Sequence, residues 1–185
     1  MSDNAEALFS SSHNALLFAF SYSLQQRAPS PMDRLFRTPR TGKGLSGLDG
    51  AAQAGMIRAE LEAVGEYAVA VLTSRVAPRS ISCECRRPCC CGHRANPEWS
   101  DAIGWLAMYM VRELAGTATH YRLRRGSVER YFGVGVKLGA LADLCGVHRN
   151  TAGEHNAKIM AALKKEESRA WRAIDDRLQA AGVVA

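Results

Sequence analysis

Apolar residues recur at three- and four-residue steps along most of this chain, which is the spacing that places side chains on one face of an α-helix. The clearest runs lie in residues 51–76, 96–114 and 164–178. Residues 5–26 show the same spacing more loosely, and the polar stretch SSSHN interrupts it, so one or two short helices are predicted there. Because no strand-like alternation of useful length is visible, the predicted fold class is all-α, a helical bundle.

Residue 96 carries the signals that start a helix. Asn96 is the predicted N-cap, Pro97 takes the first helical position and Glu98 lies in the first turn. The buried face of this helix is predicted to consist of Trp99, Ile103, Leu106, Met110 and Leu114. Pro78 is predicted to end the preceding helix, which spans residues 51–76.

Composition and pattern divide the chain into four predicted regions. Residues 1–26 form an N-terminal helical segment, and residues 27–50, with three prolines and four glycines, form a flexible basic linker or arm. This arm is interpreted either as a mobile loop or as a segment that contacts phosphates. Residues 51–118 form a helical region that carries a cysteine cluster, and residues 119–185 form a helix-turn-helix region with a long C-terminal helix.

The overall composition narrows the class of protein. Hydrophobic residues make up 47% and charged residues 23%, as in ordinary soluble proteins. The chain has no apolar run of roughly 18 residues and no signal-peptide leader, so a cytoplasmic location without membrane contact is expected. The formal net charge of +6 and the pI of about 9.2 favour a polyanionic partner.

The stretch CECRRPCCCGHR, which begins at residue 83, gathers five of the six cysteines of the chain. In a cytoplasmic protein such a cluster is typical of metal binding, and a tetrahedral Zn²⁺ site needs four thiolate or imidazole ligands. One pair comes from the C-x-C spacing. For the second pair the Cys90–His93 spacing is the easiest chelate, with Cys89–Cys90 as the alternative. The predicted ligands are Cys83, Cys85, Cys89 and Cys90, with Cys91 and His93 as alternates.

The short cluster predicts a compact zinc knuckle between two helices rather than a separate domain. Four thiolates would leave about two negative charges on the zinc site, and Arg86, Arg87 and Arg94 can neutralise them or face DNA instead. Unligated or redox-active thiols are the alternative interpretation. A catalytic zinc is not indicated, because neither H-E-x-x-H nor H-x-E beside a C-x-x-C pair is present.

Residues 138–165 carry the pattern of a helix-turn-helix. Such a motif needs a small residue where its helices cross, a glycine in the turn and apolar residues on either side. Ala142 and Gly146 meet the first two needs, and the apolar positions are Leu141, Cys145 and Val147. Thr151 with Glu154 predicts a capping box for the second helix.

This register predicts which residues contact double-stranded DNA. The residues available for base edges and phosphates are His148, Arg149, Asn150, Thr151 and Glu154. Upstream, the basic run HYRLRRGSVERYFG predicts phosphate contacts through Arg122, Arg124 and Arg125. Cys145 is predicted to fill the core beside the turn rather than to join the zinc.

The run LADLCGVHRNTAGEHNAKIMAALK resembles region 4 of bacterial sigma factors and related response-regulator domains over about 24 residues. It departs from them at Gly153 and His155, where an apolar residue or a better helix former is expected. Together, the C-x-C…CC cluster running into NPEW and this C-terminal run resemble a phage late-gene antitermination protein of the lambdoid Q type. The resemblance covers about half the chain, residues 83–165.

That resemblance implies binding to DNA at a late promoter, followed by loading onto paused bacterial RNA polymerase so that it reads through terminators in the host cytoplasm. The polymerase partner rests on the resemblance alone. An ordinary helix-turn-helix repressor or activator, acting at initiation, is the alternative. No enzyme is expected, because the sequence contains no nucleophile–base spacing and no phosphate-binding glycine loop.

Overall fold

The computed structural model of the protein describes residues 8–25, 47–83, 85, 91–114 and 120–185. These ranges are mostly helical, which confirms the predicted class, and they include one small sheet. The helices are α1 (Ser12–Gln25), α2 (Gly47–Glu62), α3 (Glu66–Val76), α4 (Pro97–Glu113), α5 (Tyr121–Tyr131), α6 (Leu138–Cys145) and α7 (Arg149–Ala180). The strands are β1 (Ser80–Ser82) and β2 (His93–Ala95). No helix in the described ranges is long and apolar enough to cross a membrane.

The start of α4 follows its predicted capping pattern. The side-chain oxygen of Asn96 accepts a hydrogen bond from the Glu98 N–H at 3.2 Å, and Pro97 is the first helical residue. All five predicted core residues of this helix are buried. Trp99 also donates its indole N–H to the Ser74 carbonyl at 3.0 Å, which holds α4 against α3.

The segment 51–76 is two helices rather than the single predicted helix. After Glu62 the chain turns, and the N–H groups of Val64 and Gly65 donate to carbonyls three residues earlier, at 3.1 and 3.3 Å. Gly65 then takes φ of +106°, a conformation that residues with a side chain rarely adopt. The prediction of one helix was wrong because the apolar spacing on the two sides of the turn is continuous.

The N-terminal helices also begin differently from the prediction. The SSSHN stretch opens α1 instead of interrupting it: Ser11 Oγ accepts from the Asn14 N–H at 3.3 Å, and Ser10 Oγ accepts from the Asn14 side-chain amide at 2.9 Å. Residues 47–50, which were assigned to the arm, form the first turn of α2. The remainder of the predicted arm, residues 27–46, lies outside the described residues.

One hydrophobic core joins every helix except α6. Its fully buried large side chains are Leu16, Phe20, Ile57, Leu72, Ile103, Leu106, Met110, Ile159, Leu163, Ile174 and Leu178. A second, small core of Leu123, Ala142 and Ala152 lies between α5, α6 and α7. Because α5 and α7 share the main core with the helices before residue 118, residues on the two sides of that predicted boundary pack together.

Helix α7 runs without interruption for 32 residues, or about 48 Å at the usual rise per residue. The sequence pattern had separated a second helix of the helix-turn-helix from a C-terminal helix, and the structure joins them. Ile174 and Leu178 are fully buried, and Trp171 is half-buried against the main core. The C-terminal part of α7 therefore packs on its own chain.

Glu167 connects α7 to α3 and α5. Its carboxylate accepts two hydrogen bonds from Arg75, at 2.6 and 2.8 Å, and one from the Tyr131 hydroxyl at 2.6 Å. Burial opposes ionisation of Glu167, but the hydrogen bonds from Arg75 and Tyr131 outweigh it and lower the pKa of this carboxyl. Burial, with the neighbouring Glu167, raises the pKa of Tyr131. Glu167 is thus charged and Tyr131 neutral at neutral pH.

The small sheet is an antiparallel hairpin between α3 and α4. Ser80, Ile81 and Ser82 pair with Ala95, Arg94 and His93. The sequence did not predict these strands, because three residues are too few to show a period of two. The cysteine cluster lies in the segment that connects β1 to β2.

Candidate nucleic-acid interface and cysteine hairpin

Helices α6 and α7 are joined by a tight turn at Gly146. This residue takes φ of +64° and ψ of +29°, the left-handed conformation that commonly ends a helix. The N–H of Val147 donates to the Ala142 carbonyl at 3.0 Å, and the N–H of Gly146 donates to the Asp143 carbonyl at 3.2 Å. This paired hydrogen-bond pattern turns the chain between the two helices, at the glycine that the sequence indicated.

Small residues allow the three helices around this turn to approach closely. Ala142 of α6 and Ala152 of α7 are both fully buried. In α5, a Cβ placed on Gly126 would lie 2.4 Å from a methyl carbon of Leu141. Cys145 packs against the same small core, which confirms its predicted place beside the turn.

All five predicted DNA-contacting residues at the start of α7 are exposed: His148, Arg149, Asn150, Thr151 and Glu154. Arg149 is bound to Asp143 across the turn, with nitrogen–oxygen distances of 3.0 and 3.5 Å. The side chain of Arg149 nevertheless remains 71% exposed. Such an exposed ion pair contributes little to stability, so an anionic ligand can take the place of Asp143.

The capping box predicted for Thr151 and Glu154 is wrong. Helix α7 begins three residues earlier than that box requires, at Arg149, and its N-cap is His148 rather than Thr151. The ring nitrogen Nδ1 of His148 accepts a hydrogen bond from the Asn150 N–H at 3.3 Å. Thr151 therefore lies inside the first helical turn, and its side chain is exposed there.

The three arginines predicted to hold phosphates have different environments. Arg122 is exposed on α5. Arg124 is buried, and its Nε donates to the Ala107 carbonyl of α4 at 2.9 Å, so it packs α5 against α4 and cannot reach a phosphate. Arg125 is partly buried and bonded to Glu129 at 2.9 Å and Ser100 at 3.0 Å. Of the three predicted arginines, only Arg122 is exposed and available to a phosphate.

The structure adds three cations that the sequence analysis had not singled out. Lys158, Lys165 and Arg172 are exposed on α7 and follow Thr151 at intervals of seven residues. A spacing of seven returns nearly to the same side of a helix, so these four residues form one stripe. The continuity of α7, which the sequence had divided, was the missing signal.

The two departures from the sigma-like pattern have different consequences. His155 takes the apolar position of the pattern and is buried, and its Nδ1 has no hydrogen-bond partner among the described residues. Gly153 lies in the helix with open space where a Cβ would be. Neither residue interrupts α7, and neither blocks the exposed stripe.

The hairpin brings the two ends of the cysteine cluster together. Beyond the β1–β2 pairs, the Cys83 N–H donates to the Gly92 carbonyl at 2.8 Å. Gly92 takes φ of +79°, which suits a glycine where the chain bends away from the ladder. Ser82, the residue before Cys83, is the direct partner of His93 in the ladder.

Only part of the predicted zinc site falls within the described residues. Cys85 and Cys91 are exposed, and the Cys91 thiol donates to the His93 carbonyl at 3.2 Å. Cys89, Cys90, Arg86 and Arg87 lie outside the described residues. Within the described ranges, no three Cys, His, Asp or Glu side chains are grouped closely enough to hold a metal ion.

Comparison with protein-family models, with curated proteins and with solved structures finds no match for this chain.

Proposed function

We propose that the protein is a DNA-binding transcription regulator in which α6 and α7 act as a helix-turn-helix. The observation that carries the proposal is the left-handed turn at Gly146 between two helices that cross at Ala142 and Ala152. This arrangement presents the exposed start of a long helix, and helix N-terminal residues are those that read base edges in the major groove. Because the start of α7 carries Arg149 and Asn150, it offers the side chains that pair with guanine and adenine.

Phosphate contacts in this proposal come from exposed cations on both sides of the base-reading residues. Arg122 on α5 and Lys158 on α7 take this role, whereas Arg124 is excluded by its burial. Phosphate contacts fix the protein on the duplex without reading sequence. The net charge of +6 supports the same partner class.

The proposed regulatory activity is late-gene antitermination, in which DNA binding precedes loading onto bacterial RNA polymerase. It rests on the resemblance of the cysteine cluster and the C-terminal run to lambdoid Q proteins. The second candidate is an ordinary repressor or activator that acts at initiation, and the exposed DNA-reading residues favour it equally. Transcription assays separate the two, as described below for the whole molecule.

The proposed cofactor is a structural Zn²⁺ held by the segment that connects β1 to β2. The proposed ligands are Cys83, Cys85, Cys89 and Cys90. The hydrogen bond between Cys83 and Gly92 supports this, because it holds the two ends of the cysteine-rich segment within one strand spacing. Cys91 and His93 are the alternates. The ion would tie α3 to α4 and would supply no catalysis.

The DNA-binding proposal is tested by selecting duplexes from a random library and measuring affinity for the enriched and for unrelated sequences. Arg149→Ala should weaken binding to the enriched sequence by about 1–3 kcal/mol and relax the base preference at one position. Arg122→Ala should weaken both kinds of duplex alike and reduce the salt dependence.

The matched control is Arg112→Ala, which removes the same charge from the exposed end of α4. It should change neither the affinity nor the base preference by more than the small effect of one distant charge. Unchanged affinity of Arg149→Ala for the enriched duplex would show that the proposed register is wrong.

A further inference from the structure

A groove of about 540 Å³ lies between α3 and α4. Its floor is apolar and is formed by Val69, Ala70, Ala102 and Trp105. Its rim carries four carboxylates, from Glu62, Glu66, Glu98 and Asp101. All of the lining residues belong to α2, α3 and α4, so the groove is separate from the α6–α7 turn.

The rim of this groove is negatively charged on a protein that is basic overall. Only Glu98 among the four carboxylates is ion-paired within the described residues, to Arg58 at 2.6 Å. Glu62, Glu66 and Asp101 are exposed and form no ion pair there. The groove therefore repels phosphates, and its charge is complementary to a cationic ligand.

The apolar floor continues along α4 past the groove. Asp101, Trp105 and Met108 follow one another at steps of four and three residues, which places them on one side of the helix. Met108 is 60% exposed, although it is a large apolar residue. Trp105 itself is stacked on Tyr109 with ring centroids 5.1 Å apart, and Tyr109 is stacked on Tyr67 with ring centroids 4.3 Å apart. The floor is thus wide and is backed by stacked rings.

We propose that this groove binds a cationic amphipathic helix of another protein. On α3 the lining residues run from Glu66 to Thr73, a length of about 10 Å or two helical turns. The apolar face of such a helix would cover Trp105 and Met108, and its Lys or Arg residues would meet Glu66 and Asp101. Helix-in-groove recognition depends on this combination of apolar contacts spaced along one face and charges at the edge.

The groove can be tested separately from DNA binding, because the three tryptophans of the protein lie in different surroundings. Trp105 lines the groove, Trp99 is buried with its indole N–H bonded to Ser74, and the Trp171 N–H lies 3.4 Å from Glu167. The full chain labelled with ¹⁵N is titrated with a synthetic amphipathic helix that carries leucine on one face and arginine on the other. We expect a saturable shift of the Trp105 indole signal alone.

Charge complementarity is tested in the same titration with the double variant Glu66→Gln, Asp101→Asn. It should bind the arginine peptide about five- to tenfold more weakly, since each exposed ion pair contributes a small amount. The matched control, Asp49→Asn with Asp176→Asn, removes two exposed carboxylates outside the groove and should bind as the unaltered protein does. Far-ultraviolet circular dichroism checks that both variants are folded.

Three results would overturn the proposal. One is equal binding by a peptide with glutamate in place of arginine, because the groove would then bind apolar surface without regard to charge. Another is an equal loss of affinity in the two double variants. The third is a shift of the Trp105 signal on addition of a DNA duplex, which would assign the groove to the nucleic-acid surface.

Discussion

At the scale of single residues, Glu167 illustrates how one carboxylate joins distant parts of the chain. Its partner Arg75 is 92 residues away in sequence and Tyr131 is 36 residues away. The side chain of Glu167 is 13% exposed and that of Arg75 is 34% exposed, so water screens their hydrogen bonds in part. Hydrogen bonds to charged groups in such surroundings stabilise proteins more than exposed ion pairs do.

Glu167→Gln should therefore lower the free energy of unfolding at neutral pH by about 1–3 kcal/mol. The pKa of Glu167 is lowered in the folded state, so its contribution is complete above the ordinary glutamate pKa of about 4.3. The contribution is lost as the pH falls through the folded-state pKa, and the difference between variant and parent should shrink there. Urea unfolding of the variant and the parent, at neutral pH and at a pH below the folded-state pKa of Glu167, measures this difference.

The control for this prediction is the neighbouring residue. Glu166→Gln removes a carboxylate that pairs with Arg169 at the surface, where the arginine side chain is 61% exposed. Its effect should stay within about 0.5 kcal/mol. Equal effects of the two glutamine variants would show that burial and the Tyr131 contact do not matter.

At the scale of elements, two helical glycines separate local propensity from packing. Gly153 in α7 has open space around its missing Cβ, so Gly153→Ala should raise the free energy of unfolding by about 0.5–1 kcal/mol. A Cβ on Gly126 in α5 would instead overlap a methyl carbon of Leu141. Gly126→Ala should give no such gain and should destabilise the protein, because α6 would be pushed away. Thermal unfolding of both variants tests this, and a gain in both would contradict the close packing of α5 and α6.

The hairpin gives a second prediction at this scale. The purified protein should contain one zinc per chain, and chelation should lower its thermal stability, since structural zinc contributes folding free energy directly. Cys83→Ser or Cys85→Ser should reduce zinc content more than changing any one of the later candidate ligands, where a neighbour can substitute. Cys145→Ser is the control, because Cys145 lies in the small core by the α6–α7 turn. Well under one equivalent in protein purified without chelator would refute the zinc site.

At the scale of the whole molecule, α7 joins the α6–α7 turn, which we propose reads DNA, to the main core. A contact elsewhere on the bundle would therefore be connected to that turn through one helix. A protein that holds DNA and polymerase together tolerates modest affinity for each, because the second contact forms at high effective concentration. We expect modest free affinity for promoter-proximal DNA, higher affinity beside a stalled polymerase, and increased read-through of a terminator.

Gel-shift titration with and without stalled polymerase, paired with a terminator template, measures these effects. Tight DNA binding without polymerase, together with unchanged read-through, would place the protein among repressors or activators of initiation. Arg149→Ala serves as the control in the read-through assay, since it should weaken the DNA-dependent part while leaving the folded bundle intact.

The sequence by itself determined the features that depend on near neighbours. The cap at Asn96 and the turn at Gly146 are set by contacts within a few residues, and both were predicted correctly. The apolar face of α4 follows from a period of 3.6 residues, so its buried side chains could also be predicted. The exposure of the residues at the start of α7 was predicted from sequence as well.

Only the tertiary structure decided the features that depend on distant partners. Arg124 and Arg122 look alike in sequence. Arg124 is buried against α4, where it donates to the Ala107 carbonyl, whereas Arg122 is exposed. The bend at Gly65 interrupts an apolar period that continues across it. The acidic rim assembles from three helices whose carboxylates are up to 39 residues apart, and no local pattern reports such proximity. Packing between elements, rather than propensity within them, determines each of these features.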